Sequence, residues 1–104
     1  MKKIAVITAT RAEYGLLQPV VKELRSFEND ALKIELVVTG THLAEEFGMT
    51  KNEILADGVR IDEEVRIPTR SVEKTDIAHN QAETLIKFTD LFAKKAYDAI
   101  VILG

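Results

Sequence analysis

The chain has 104 residues, 46% of them hydrophobic and 30% charged, with five glycines, two prolines, no cysteine and a formal net charge of -3. A domain of this size buries roughly 60–70% of its unfolded surface, so one globular core is expected and disorder is not. The charge leaves no footprint for nucleic acid or an anionic membrane, and the lack of cysteine removes disulfides, thiol catalysis and cysteine zinc sites.

The chain opens on MKKIAVITAT. Two lysines precede an apolar run too short for a signal peptide, and no stretch approaches the roughly 20 apolar residues that span a bilayer. A soluble cytoplasmic protein is expected. Residues 3–9, KIAVITA, are almost continuously apolar and β-branched, as a strand covered on both faces reads. Leu17, Val20, Val21, Leu24 and Phe27 then follow a 3.6-residue stripe that predicts a helix over residues 14–27, with Pro19 near its early turns. A second strand is expected at 33–40, a short helix at 49–56 stopped by Asp57-Gly58, and a more polar strand, nearer the sheet edge, at 61–67. A polar loop from Pro68 to Thr75 leads to the longest helix, 75–96, capped by Ser71 or Thr75, with Ala78, Ala82, Leu85, Thr89 and Phe92 on one face. The last strand covers 98–104.

This alternation predicts an α/β fold with a Rossmann-like parallel sheet and right-handed crossovers. No helix follows the last and most hydrophobic strand, so the expectation is a fragment cut after its fourth strand, with the ligand loop beyond Gly104 missing.

Ligand groups in such sheets gather in the loops after the strands' carboxyl ends. The first loop, TATRAEYG, holds a single glycine where a dinucleotide-binding turn needs G-x-G-x-x-G, and the second strand ends Thr39-Gly40-Thr41 without the acidic residue that would hold a ribose. No Walker pattern exists, and neither histidine has metal-site spacing. Hydride chemistry and a metal site are therefore not expected. Arg11, at a helix start, either forms a positive pocket for phosphate or pairs with a carboxylate on the rim. Glu13 orients that arginine or a sugar hydroxyl, or merely suits the helix dipole. Tyr14 either meets a ligand or packs. His42 either works on protons and ligand oxygens or caps a loop. Thr39 and Thr41 read as turn residues, His79 as structural, and the adjacent Glu45 and Glu46 point apart in a helical turn. A receiver domain would need an acidic pair after strand one and an aspartate after strand three, and both are missing. A flavodoxin-like binding module finds only Thr8 and Thr10 in its favour.

TATRAEYGLLQPVVKEL closely resembles the amino-terminal signature of the hydrolysing UDP-N-acetylglucosamine 2-epimerases, T-x-x-R-A-[DE]-Y-x-x-L-x-P. The likeness continues through VVTGTHLAEEFGMTKNEI and the placement of VILG, after which the family carries Gly-Asp-Arg. The resemblance implies the amino-terminal half of a two-domain glycosyltransferase-B-type fold, with a second, nucleotide-binding domain outside this chain. It implies conversion of UDP-N-acetylglucosamine and water to N-acetylmannosamine and UDP, by elimination and then hydration, for sialic acid type sugars. No cofactor is needed, and the full-length enzyme is expected to form a homo-oligomer. Arg11 matches the family arginine near the diphosphate, Glu13 an acidic position often held by aspartate, and His42 the histidine of the turn after strand two. Arg11, Glu13, Thr41 and His42 are thus the expected substrate-binding residues, and the catalytic aspartate would directly follow Gly104. Related enzymes acting on GDP-linked bacillosamine derivatives, or non-hydrolysing epimerases, fit the same signature. The 104-residue chain alone is expected to release no UDP from UDP-N-acetylglucosamine; measurable release by the purified chain would contradict that expectation.

Overall fold

The computed structural model describes residues 1–68 and 73–103. Along the chain run β1 (Lys2–Thr8), α1 (Arg11–Arg25), β2 (Leu32–Thr39), α2 (Lys51–Ala56), β3 (Glu63–Val65), α3 (Lys74–Lys95) and β4 (Ala99–Val101). Two 3-10 turns, Gly40–Leu43 and Glu45–Phe47, lie between β2 and α2. All four strands are parallel, in the order β3-β2-β1-β4.

Alternation within the strands sorts side chains to two faces. Val6, Ile34, Leu36 and Val38 pack against Tyr14, Leu17 and Val21 of α1 and Ile54 of α2. Ala5 and Val37 turn the other way, joining Val65 and Leu91, with Phe88, Phe92 and Tyr97 around them. Helices on both faces of a parallel sheet make this a Rossmann-like α/β unit. The chain steps from β1 to β2 to β3 in one direction and returns past β1 to β4. The topological switch point therefore lies beside β1, at the carboxyl ends of the strands.

Several expectations need correction. First, α1 begins at Arg11, not at residue 14, because Thr10 caps it: its Oγ1 accepts from the Glu13 N–H at 3.2 Å. Pro19 consequently sits in the helix interior, on the exposed side, where water can reach the Gly15 carbonyl that its ring leaves without a donor. Second, of the expected α3 stripe Ala78, Ala82, Leu85, Thr89 and Phe92, Phe92 alone packs toward the sheet. Leu85 is 69% exposed, and Phe88, Leu91 and Phe92 face the sheet instead. Phe88, Leu91 and Phe92, at i, i+3 and i+4, bury more apolar area than Phe92 could beside Ala78, Ala82 and Thr89. Third, the cap of α3 is Glu73, which forms a reciprocal box with Asp76; Ser71 lies outside the described residues. β3 and β4 are also shorter than the runs 61–67 and 98–104, although β3 is the edge strand expected.

The α3 face contains a buried charge that the apolar look of β2 hides. Glu35, 1% exposed, accepts from the Tyr97 hydroxyl at 2.7 Å and lies 3.5 Å from both Lys33 Nζ and Lys95 Nζ. Burial works to raise its pKa, but Tyr97, Lys95 and Lys33 together hold it below the usual carboxylate value. Lys95 also reaches Glu63 at 2.9 Å, so the carboxyl end of α3 is tied to both β2 and β3.

The tightest backbone approach joins the loops after β1 and β2. Gly40 adopts φ +61, and a Cβ built there would stand 2.8 Å from the Ala9 carbonyl oxygen. Gly40→Ala meets both a strained dihedral and a fixed backbone atom, and is expected to lower unfolding free energy by about 1–3 kcal/mol. Gly15→Ala lies in the exposed part of α1 with nothing within 4 Å of its Cβ. That variant is expected to raise stability by about 0.5–1 kcal/mol; urea denaturation of the two variants checks both signs.

Candidate functional site

Ala9 is the hub of the turn between β1 and α1. Its N–H donates to Glu13 Oε1 at 2.9 Å, and its carbonyl accepts from the Thr41 N–H at 2.9 Å and the Thr41 hydroxyl at 3.0 Å. Thr10 and Glu13 thus form a variant capping box in which the carboxylate reaches one residue further back. The spacing Thr10-x-x-Glu13 is a legible sequence signal for this role. Glu13 and Thr41 are therefore engaged with backbone.

His42 is 0% exposed. Nε2 lies 3.0 Å from Thr8 Oγ1, and Nδ1 lies 2.9 Å from Thr50 Oγ1. Thr8 also donates, at 3.4 Å, to the Thr10 carbonyl, which can only accept. The chain of donors then runs from Nε2–H to Thr8 to Thr10, while the Thr50 hydroxyl donates to Nδ1. This is a neutral imidazole with both nitrogens satisfied. Burial pushes its pKa below the ordinary value, against the raising effect of the Glu13 and Glu53 charges and the Thr10 carbonyl. The Tyr14 ring meets it edge-on, with centroids 6.3 Å apart. Tyr14 is itself buried and donates to Asp57 Oδ2 at 2.8 Å. Burial, reinforced by that carboxylate, pushes the Tyr14 pKa up to about 12.

Arg11 differs from these three. Its side chain is 74% exposed, and Nε lies 2.9 Å from Glu53 Oε2 on α2. The structure thus gathers Arg11, Glu13, Thr41 and His42 at the carboxyl ends of β1 and β2, with one exposed cation and three groups that fix the backbone beneath it. Sequence reasoning did not single out Thr50, Glu53 or Asp57, whose roles depend on partners at least eight residues away. Two concavities, of about 510 and 600 Å³, lie along α3 and not at this turn. Pro68, Ile77 and Phe88 help line the first, and Arg66, Lys87 and Lys94 the second. Among the described residues, no group of three or more histidines and carboxylates could hold a metal ion. Nor, among the described residues, is any helix long and apolar enough to cross a membrane.

A buried neutral histidine makes stability depend on pH. The unfolded state takes up His42's proton near pH 6.5 and the folded state only at lower pH, so its contribution is full above about 6.5. It is lost as pH falls from there through the folded-state value. Compared with His42→Gln, which cannot protonate, the wild type is expected to lose up to about 1.4 kcal/mol per pH unit within that window. Urea unfolding of both proteins from pH 8 to 5 checks this; parallel profiles would contradict it.

The sequence model of the family described as UDP-N-acetylglucosamine 2-epimerase matches residues 25–104. Over 104 residues the chain is 36% identical to the polysialic acid biosynthesis protein P7 of Escherichia coli, of which it covers 26%. It is 33% identical, again over 104 residues, to the UDP-N,N'-diacetylbacillosamine 2-epimerase (hydrolyzing) of Legionella pneumophila, covering 27% of that protein. The GDP/UDP-N,N'-diacetylbacillosamine 2-epimerase (hydrolyzing) of Campylobacter jejuni is 31% identical over 103 residues, which are 99% of this chain and 26% of that protein. The chain spans about a quarter of the length of these curated relatives. With a parallel Rossmann-like sheet and a family match covering most of its length, the chain belongs to the UDP-N-acetylglucosamine 2-epimerase family.

Proposed function

We propose that this chain is the amino-terminal Rossmann-like part of a hydrolysing 2-epimerase that converts UDP-N-acetylglucosamine and water to N-acetylmannosamine and UDP. The observation that carries the reading is Arg11, an exposed guanidinium on the first residue of α1, beside the topological switch point. Elimination of UDP breaks the C1–oxygen bond and removes the C2 proton, leaving a glycal. Negative charge grows on the departing diphosphate, and a cation at a helix N-terminus stabilises that charge. Water then adds across the double bond, with the proton arriving at C2 from the other face and the hydroxyl at C1.

Within this reading Arg11 holds the diphosphate, while Glu13, Thr41 and His42 support it by holding the turn in place. His42, buried with both nitrogens engaged, is assigned no proton-transfer step. In this reading the proton-transfer carboxylates lie further along the protein, the first directly after Gly104, as the resemblance implies. On the same reading the whole enzyme has a second domain for the nucleotide base and acts as a homo-oligomer in the cytoplasm. The names of the Legionella and Campylobacter relatives favour a second reading, in which the sugar is a nucleotide-linked diacetylbacillosamine.

The test uses the full-length protein in deuterium oxide. UDP-N-acetylglucosamine is expected to give free UDP and N-acetylmannosamine deuterated at C2. Turnover only of the bacillosamine nucleotide would favour the second reading, and UDP-N-acetylmannosamine without free UDP would overturn hydrolysis. Arg11→Ala is expected to lower kcat/KM by about 100-fold or more, the scale of losing one charge-stabilising group at a leaving oxyanion.

A further inference from the structure

The ion pair between Arg11 and Glu53 contributes little to the fold. Its side chains are 74% and 47% exposed, and surface pairs of this kind contribute almost nothing measurable to stability. Yet both of its ends rise from fixed backbone. Arg11 follows the Thr10 cap and the clamped Ala9 peptide. Glu53 stands on α2, a helix of six residues anchored on either side. Thr50, just before α2, bonds to His42, and Asp57, just after it, accepts from Tyr14. Between them Ile54 is fully buried. The nearby carboxylate of Glu13 is occupied by the Ala9 N–H. Glu53 is therefore a carboxylate held on a rigid platform opposite an otherwise exposed cation.

We propose that Glu53 is a positioning residue for Arg11: it holds the guanidinium across the gap between α1 and α2 until an incoming diphosphate displaces it. The proposal rests on the reading that Arg11 receives the diphosphate. A carboxylate and a phosphate present similar oxygens to a guanidinium, so the exchange swaps one charge-assisted contact for another. The exposed pair is cheap to break, and the diphosphate carries more charge than the group it replaces. Glu53 thereby weakens ligand binding slightly, and it receives Arg11 back when the nucleotide leaves.

The experiment measures UDP binding to the full-length protein by calorimetry for the wild type, E53Q, R11A and the double variant. It is run at about 50 and 500 mM salt, where exposed charges are weakly and strongly screened. E53Q is expected to bind UDP about 2–5-fold tighter at low salt, with the gain shrinking at high salt. The gain is expected to vanish in the R11A background, and E53A to reproduce it. A merely structural role for Glu53 would not produce tighter binding that depends on Arg11. Binding by E53Q equal to or weaker than wild type, or a gain that survives without Arg11, overturns the proposal while leaving the role of Arg11 intact. UDP binding unaffected by R11A, or no UDP binding by the wild type, overturns the reading of Arg11 and the proposal with it.

Discussion

The Ala9 peptide is the constraint on which the site depends. Both of its polar groups are used: the N–H by Glu13, the carbonyl by the backbone and side chain of Thr41. Gly40 approaches so closely that a side chain there would collide with the same carbonyl. Two loops that separate chain segments deliver are thereby locked together at the end of the central strand. A dinucleotide-binding turn uses glycines to let a pyrophosphate approach the backbone. Here the glycine lets one loop approach another, and the charged side chain of Arg11 stands exposed beside them.

Beneath that lock the sheet has two different interiors. The α1 face is apolar in the middle and polar at both ends: Thr8, His42, Thr50, Tyr14 and Asp57 form a connected set at the carboxyl end, and Arg25 pairs with Asp62 at the other. The α3 face carries Glu35 in its midst, compensated by Tyr97 and two lysines. The first arrangement fixes the functional end. The second fixes the long helix, while among the described residues the Arg25 Nε at the end of α1 is buried without a hydrogen-bond partner.

The elements and their order were legible because the β1 run is almost continuously apolar, β2 is rich in β-branched residues and α1 carries a plain 3.6-residue stripe. Arg11 was legible too, as a charge at a strand-to-helix turn. The roles of its neighbours were less so. The Thr10–Glu13 spacing announces a capping box, yet an acidic residue beside an arginine in a ligand loop reads equally as an ion-pair partner. The burial of His42 cannot be read locally, since it depends on Thr8 and Thr50 converging from two other segments. Nor does the pattern around Glu35 announce a buried carboxylate, because its hydroxyl partner lies 62 positions away. The inner face of α3 was misjudged for a related reason: alanine fits either side of a helix, and only the position of the sheet decides.

The register of the sheet also orders its assembly. β1 and β2 are joined by a single helix, whereas the contact that starts β4, between Lys3 and Asp98, links residues 95 positions apart. Loop-closure entropy rises with the length enclosed, so pairing between near strands is favoured before pairing between distant ones. The β1–α1–β2 unit contains Ala9, Arg11, Glu13 and, at its exit, Gly40 and Thr41. The frame of the site thus lies within the part of the sheet whose pairing encloses the shortest loop.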